Sequence, residues 1–301
     1  MVTIDEDEEI RIIGGGNWSP ANSNMGKGCN DVNKGKRISL GRWKILGLLS
    51  FGFLCLLFAV YYVYRYKYVY GFEYPISRTQ EEVMDALSKE KCAVLPAGVE
   101  KSEETFLGVA MNLYKITGLQ PELVYGIPNL NDKTVYFVTR NSDYWKKNNE
   151  QKIIGDYIVA GHQYARNSWR AGYFSILDGK AEIGVGREPN MRNFILKNKG
   201  SMFRQFALVS GGIKCVSQYV LKGKVTRCAY ARTASDELFY VETVHPETLY
   251  GFSDALIEFG FVDAIYITGG AQPDMFYRSS DGIAHGSYVD DHKHGMVLWK
   301  K

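Results

Sequence analysis

The sequence predicts an α+β protein of mixed β-sheets with few helices, preceded by one transmembrane helix. Three observations carry that expectation. One uncharged stretch, Ile45 to Tyr64, reads ILGLLSFGFLCLLFAVYYVY. Beyond it, short β-branched and aromatic runs between glycine or polar turns outnumber helical patterns. One late stretch has strong helical periodicity, with Leu249, Phe252, Leu256 and Gly260 on one face.

The apolar stretch is about 20 residues, and at about 1.5 Å rise each such a helix crosses a hydrocarbon core of about 30 Å. Lys44 precedes it and Arg65 follows it. A core helix rarely runs this long without a charge, and a signal peptide would start nearer Met1 and end in small residues. Here Tyr61, Tyr62, Tyr64, Tyr66, Tyr68 and Tyr70 form an interfacial belt instead. The lipid bilayer is therefore the expected partner of residues 45–64, within a helix over 43–66. Lys27, Lys34, Lys36, Arg37, Arg42 and Lys44 lie before the span, against Arg65, Lys67 and Arg78 after it. The positive-inside rule then puts the N-terminus in the cytoplasm and residues 72–301 outside, in the periplasm if the host is bacterial.

Residues 1–42 hold the run Asp5-Glu6-Asp7-Glu8-Glu9 and a Gly/Asn/Ser/Lys stretch without apolar periodicity. They are expected to be a disordered arm, either simply solvated or offered to a cytoplasmic partner. The outer part is long enough for one sizeable core or two small ones. A net charge of +3 argues against nucleic acid as a partner. No cofactor is implied, since Walker, Rossmann, G-x-S-x-G and H-E-x-x-H patterns are absent from the sequence.

The elements follow in order. Thr79-Gln80-Glu81-Glu82 has capping-box spacing before Val83, Ala86 and Leu87, so a helix starts there. Phe106, Val109, Ala110 and Leu113 predict a second helix ending at Gly118. Strands are expected over 134–138 and 157–160. Residues 172–177 and 181–185 predict a hairpin on Asp178-Gly179. A short helix spans 191–199, closed by Gly200. Four strands follow, over 203–209, 213–221, 224–231 and 238–244. Leu249, Phe252, Leu256 and Gly260 share a helical face, and Pro246-Glu247 suits the first turn of that helix. Strands over 262–267, 275–278 and 296–299 close the chain.

Five cysteines set no framework. Cys215 and Cys228 flank CVSQYVLKGKVTRC, read as two strands around Lys222-Gly223. They either face each other and oxidise or remain buried thiols.

The stretch TLYGFSDALIEFGFVDAIYITGGA, Thr248 to Ala271, resembles the C-terminal signature of the phosphodiester glycosidase domain. KVTRCAYARTASDELFYVET resembles that family's Arg-bearing strand, and RAGYFSILDGKAEIGVG its Asn-Gly-Gly-Phe-Phe hairpin. The resemblance covers about 170–301 and implies hydrolysis of a sugar-1-phosphodiester, or recognition of one. Such chemistry wants a carboxylate beside the anomeric carbon and cations or backbone N–H groups at the phosphate. By resemblance Arg227 stands at the family's Arg, the alternative being an exposed strand Arg. Gly269 and Gly270 keep its loop, the alternative being an ordinary turn. Thr268 occupies the loop Asp position, and Arg170 with Ala171, Gly172 and Tyr173 stands where the hairpin Asn-Gly-Gly-Phe is expected. Ala271 and Gln272 depart from the family's loop continuation. The catalytic set is thus Arg227, Thr268 and His162, and the substrate-binding set Gly269, Gly270, Arg170, Gly172 and Tyr173. His162 follows a strand, either facing the cleft as an acid/base or lying in a loop. Asp263, Glu242 and Asp274 are substitute carboxylates or surface charges. His292 and His294 with Asp290 and Asp291 suit a polar loop better than a metal site, because Lys293 lies between them. Three functions stay open: an enzyme on envelope glycans, a silent glycan-binding relative, or an envelope assembly protein.

Overall fold

The computed structural model describes residues 40–69, 74–89, 96–147, 150–218, 221–270, 275–279, 281–286 and 294–301. The expected arm lies outside these as far as residue 39, whereas Leu40, Gly41 and Arg42 are already helical. Contacts divide the chain into units over 1–62 and 63–301. Helix α1 (Leu40–Val69) holds the apolar stretch, and Leu46–Tyr64 is long and apolar enough to cross a membrane. Its apolar side chains over that stretch are exposed.

The second unit is α+β and mostly β. Helix α2 (Gln80–Ser88) starts at the expected capping box. Thr79 Oγ1 accepts from Glu82 N at 3.2 Å, and the Glu82 carboxylate accepts from Thr79 N at 2.7 Å. Such a cap contributes about 1 kcal/mol. The helix expected over 106–118 is instead the hairpin of β1 (Gly98–Phe106) and β2 (Val109–Thr117). Leu107 and Gly108 turn it, with φ of 50° and 78°. The apolar spacing misled because β2 buries both faces: Met111 and Leu113 lie in one core, Tyr114 and Ile116 in another.

Then come β3 (Gln120–Gly126), β4 (Val135–Arg140), β5 (Tyr144–Lys147), β6 (Glu150–Ile153), β7 (Tyr157–Val159) and β8 (His162–Ala165). The hairpin of β9 (Gly172–Leu177) and β10 (Lys180–Val185) turns on Asp178-Gly179 as expected. After α3 (Asn190–Lys197) run β11 (Ser201–Gln205), β12 (Ala207–Ser210) and β13 (Ile213–Lys214). The strand expected over 213–221 shrinks to two residues, and β14 (Thr226–Thr233) pairs with other strands, so Lys222-Gly223 turns no hairpin. Cys215 and Cys228 are buried free thiols, both pushed up to about 12, chiefly by burial. Then follow β15 (Leu238–Thr243), α4 (Leu249–Phe259), β16 (Phe261–Gly270), β17 (Met275–Arg278), β18 (Ala284–Gly286) and β19 (His294–Lys300). Thr248 caps α4 by accepting from Gly251 N at 3.0 Å, and Gly260 ends it at φ 108°.

A seven-stranded sheet runs β1-β2-β15-β14-β16-β12-β13. Two five-stranded sheets run β10-β9-β11-β7-β8 and β18-β17-β4-β19-β3, and β5 with β6 forms a separate ribbon. Every pair among the described residues is antiparallel, so the sheets are not mixed in direction. The three sheets share one core that includes Phe137, Tyr157, Phe174, Phe203, Tyr230, Ile265 and Trp299. The other face of the large sheet packs on α4 through Val241, Ala229, Ala264, Phe252 and Leu256. Helices α2 and α3 cover the second sheet through Val83, Leu87, Met191 and Ile195.

Candidate functional site

The polar residue that organises the site is Asp143. It follows β4, and its backbone carbonyl accepts from Ile154 N at 2.9 Å, closing the base of the β5–β6 ribbon. Its carboxylate gathers three side chains from distant elements. Thr268 of β16 donates from Oγ1 to Oδ1 at 3.1 Å. Arg170, just before β9, donates from Nη1 to Oδ2 at 2.8 Å. Gln205, at the end of β11 and fully buried, donates from Nε2 to Oδ2 at 3.3 Å. Arg170 Nη1 also donates to Gln205 Oε1, and its guanidinium lies 4.6 Å from the centre of the Phe206 ring. Two positions singled out by the sequence, Thr268 and Arg170, therefore meet on one carboxylate that sequence reasoning passed over.

Tyr266 links this group to Arg227. The phenol is pushed up to about 12, mainly by burial and then by the Asp143 carboxylate, while Arg227 and the Gly269 N–H pull it back. Gly269 N donates to its hydroxyl at 3.2 Å, which leaves the phenol proton to donate elsewhere. Phe206 stands 6.4 Å from the Tyr266 ring, so one apolar wall backs both Arg170 and Tyr266.

Arg227 is buried, not an exposed strand Arg. Nε donates to Glu247 O at 2.9 Å, and Nη2 donates to Leu221 O at 2.9 Å and to Gly223 O. Two of its three nitrogens thus brace the segment before α4 and the turn at 221–223. Gly269 is no ordinary turn glycine: a Cβ there would stand 2.1 Å from Thr226 O, so the two strands approach only because it has none. Gly270 pairs with Thr226 in the same ladder. At Gly172 a Cβ would lie 2.8 Å from Ala207 N, and this close approach carries the chain from Arg170 into the sheet.

The remaining site residues lie elsewhere. Tyr173 is fully buried among Val83, Leu87, Met191 and Ile195 beneath α2 and α3, with its ring 5.6 Å from the Arg204 guanidinium. Strand alternation turns it away from Gly172's side of the sheet. His162 is exposed on the edge strand β8, its ring edge-on to Tyr164 at 4.8 Å, and no described contact joins it to Asp143. Asp263 is a buried tie: it pairs with Arg232 and accepts from Ser77 Oγ at 3.1 Å and Gly211 N at 3.3 Å. Glu242 is likewise enclosed, accepting from Asn112 Nδ2 at 3.1 Å, Tyr114 OH at 3.0 Å and Tyr240 OH at 3.3 Å. Asp274, Ala271, Gln272 and His292 lie outside the described residues, as does the side chain of His294. Among the described residues no group of three or more His, Cys, Asp or Glu side chains could hold a metal ion.

Asp143, Gln205 and Tyr266 are the residues that sequence reasoning missed. Asp143 had a signal, since Asn141-Ser142-Asp143 is a polar run ending an apolar strand. Gln205 and Tyr266 had none, being single residues inside strands.

No family model and no curated protein matches this sequence. Solved structures do resemble it in fold. A hypothetical protein from Synechocystis shares 9% identity over 67% of this chain, with a TM-score of 0.51. The chain spans 62% of that protein, under two thirds of its length. The catalytic domain of zebrafish N-acetylglucosamine-1-phosphodiester alpha-N-acetylglucosaminidase, auto-inhibited by its pro-peptide, shares 13% identity. That match covers 70% of this chain and 85% of the zebrafish domain, with a TM-score of 0.49. At such identities the relationship is one of distant fold alone, and function has to be argued from the site.

Proposed function

We propose that this chain is a single-pass membrane protein whose outer domain hydrolyses sugar-1-phosphodiesters of envelope glycans, with Asp143 as the carboxylate. One observation carries the reading. Two of the positions where the sequence departs from the phosphodiester glycosidase pattern, Thr268 and Arg170, bond to Asp143. On this reading the acid missing from the loop is replaced from the segment between β4 and β5.

The chemistry suits those groups. Arg170 and the Thr268 hydroxyl hold Asp143 in one orientation, and an oxocarbenium-like state requires a carboxylate beside it. The C1–O bond breaks with its electron pair passing to the phosphate oxygen. The leaving phosphomonoester is a stable anion, so it needs no strong general acid. Water then supplies its oxygen to C1 and releases one proton. Arg170 supplies the cation for the phosphate. The bilayer holds residues 45–64, with the N-terminal arm in the cytoplasm as the flanking cations indicate.

A silent glycan-binding role is the second reading. It is favoured by the Arg170–Asp143 pair, in which the acid is already partnered. The test is the purified full chain in detergent, given a panel of sugar-1-phosphodiesters and assayed for released sugar, with Asp143→Asn beside it. Release lost in the variant supports the enzyme. Binding without release, unchanged in rate over hours, leaves the binding role.

A further inference from the structure

Gln205 bonds to both charged partners of the site with one amide. It ends β11 opposite Gly172 of β9, and its side chain is fully buried. Strand alternation sets it on the Phe203 side of the sheet, with Arg204 on the other. Nε2 donates to Asp143 Oδ2 at 3.3 Å, and Oε1 accepts from Arg170 Nη1. Only this orientation of the amide works. A guanidinium donates and never accepts, so Oε1 must meet Arg170 and Nε2 the carboxylate.

Arg170 Nη1 carries two N–H groups, and both are taken, one by Asp143 Oδ2 and one by Gln205 Oε1. Among the described residues its Nε and Nη2 have no hydrogen-bond partner, while the Phe206 ring lies 4.6 Å from the guanidinium. Nε and Nη2 together form the edge that matches two oxygens of a phosphate or sulfate. The carboxylate is divided in the same way. Oδ2 accepts from Arg170 and Gln205, whereas Oδ1 accepts from Thr268 alone and keeps a lone pair. We propose that Gln205 is the positioning residue of this site: by occupying Nη1 and Oδ2 it reserves the Nε–Nη2 edge of Arg170 for a tetrahedral oxyanion and Asp143 Oδ1 for the sugar carbon. This rests on the sugar-phosphate reading above. Enclosed as it is, Gln205 acts through Arg170 and Asp143 and not on the ligand.

The test measures binding of inorganic sulfate to the full chain in detergent micelles by calorimetry, at about pH 5 and about pH 8, a range over which sulfate keeps its charge. Gln205→Glu keeps the shape. While protonated, the new carboxyl donates to Asp143 and accepts from Arg170, as the amide does; once ionised it can only accept, and it opposes Asp143. An ordinary Glu carboxyl ionises near about 4.3, and burial beside a second carboxylate raises that value. Gln205→Glu should therefore bind sulfate within about twofold of wild type at the lower pH and about tenfold more weakly at the higher, the scale of one charge-assisted hydrogen bond. Gln205→Leu, which neither donates nor accepts, should bind about tenfold more weakly at both. Arg170→Lys keeps the charge without the fork and should lose as much. A Gln205→Glu affinity that does not change with pH relative to wild type, whether high or low, overturns the proposal, as does wild-type affinity in Gln205→Leu or Arg170→Lys. Wild-type protein that binds no sulfate overturns the proposal and the sugar-phosphate reading together. The expected pattern without turnover of any sugar-1-phosphodiester sinks only the hydrolytic reading and leaves the role of Gln205 standing.

Discussion

Thr268 Oγ1 donates a hydrogen bond of 3.1 Å to Asp143 Oδ1 across 125 residues of sequence. A hydroxyl at 268 can hold a carboxylate that a second acid there would repel.

Asp143→Asn tests that arrangement directly. The amide keeps the shape but neither ionises nor pairs fully with Arg170. Sugar release should fall about 100-fold or more. The melting temperature should hardly move, because the pair is partly exposed, and such pairs contribute about 1 kcal/mol or less. A large drop in melting temperature would instead make Asp143 a structural residue.

Gly269→Ala should be worse than its size suggests. The new Cβ meets a backbone oxygen at 2.1 Å, so β14 and β16 must separate and the N–H must leave Tyr266. A loss of roughly 1–3 kcal/mol in urea unfolding is expected, together with loss of activity. Gly260→Ala, at the end of α4, should cost stability while sparing turnover.

Asp156→Asn should unfold the domain more readily by about 3–5 kcal/mol, because it leaves Arg204 charged and enclosed. Burial already pulls the Arg204 guanidinium below its ordinary value, and Asp156 opposes that pull. Chemical denaturation of both proteins gives the difference. A cost below about 1 kcal/mol would mean that the carbonyls of Gly186 and Glu188 suffice for Arg204 without the carboxylate.

Alkaline stability reports on Tyr266. Its folded value of about 12 exceeds the ordinary phenol value of about 10, so the native state holds this proton longer than the unfolded chain. Its contribution is complete below about pH 10 and is lost as pH climbs through 12. Between pH 9 and 11 the wild type should lose about 1 kcal/mol more than Tyr266→Phe in urea unfolding. Cys215 and Cys228 shift in the same direction, so both proteins should weaken with rising pH. Equal slopes would show that Tyr266 does not titrate as its surroundings dictate.

Much of this fold was legible because local signals were strong. Thr79 with Glu82 and Asp178-Gly179 each specify a boundary by backbone chemistry, and both stand where expected, whereas α4 starts after Pro246-Glu247, capped by Thr248. The error over 106–118 has a physical source. A strand buried on both faces shows no alternation, so helical and extended spacing cannot be told apart there. Thr268 and Arg170 were readable as candidate site positions, but their common partner was not, since nothing local ties residue 143 to residues 170 and 268. Tyr173 failed for the opposite reason: next to Gly172 in sequence, it points through the sheet to the helices.

Strand β19 lies between β3 and β4, so the last described strand completes a sheet begun by one of the first. β2, near the start of the domain, likewise waits for β15. Such long-range closure slows folding and delays it until β19 has been made. A ribosome that stops a few residues short of β19 would release a chain whose third sheet has an open seam, ready to pair with a neighbour's strand. Closure of the third sheet therefore turns on a strand far in sequence from the carboxylate that gives the site its character.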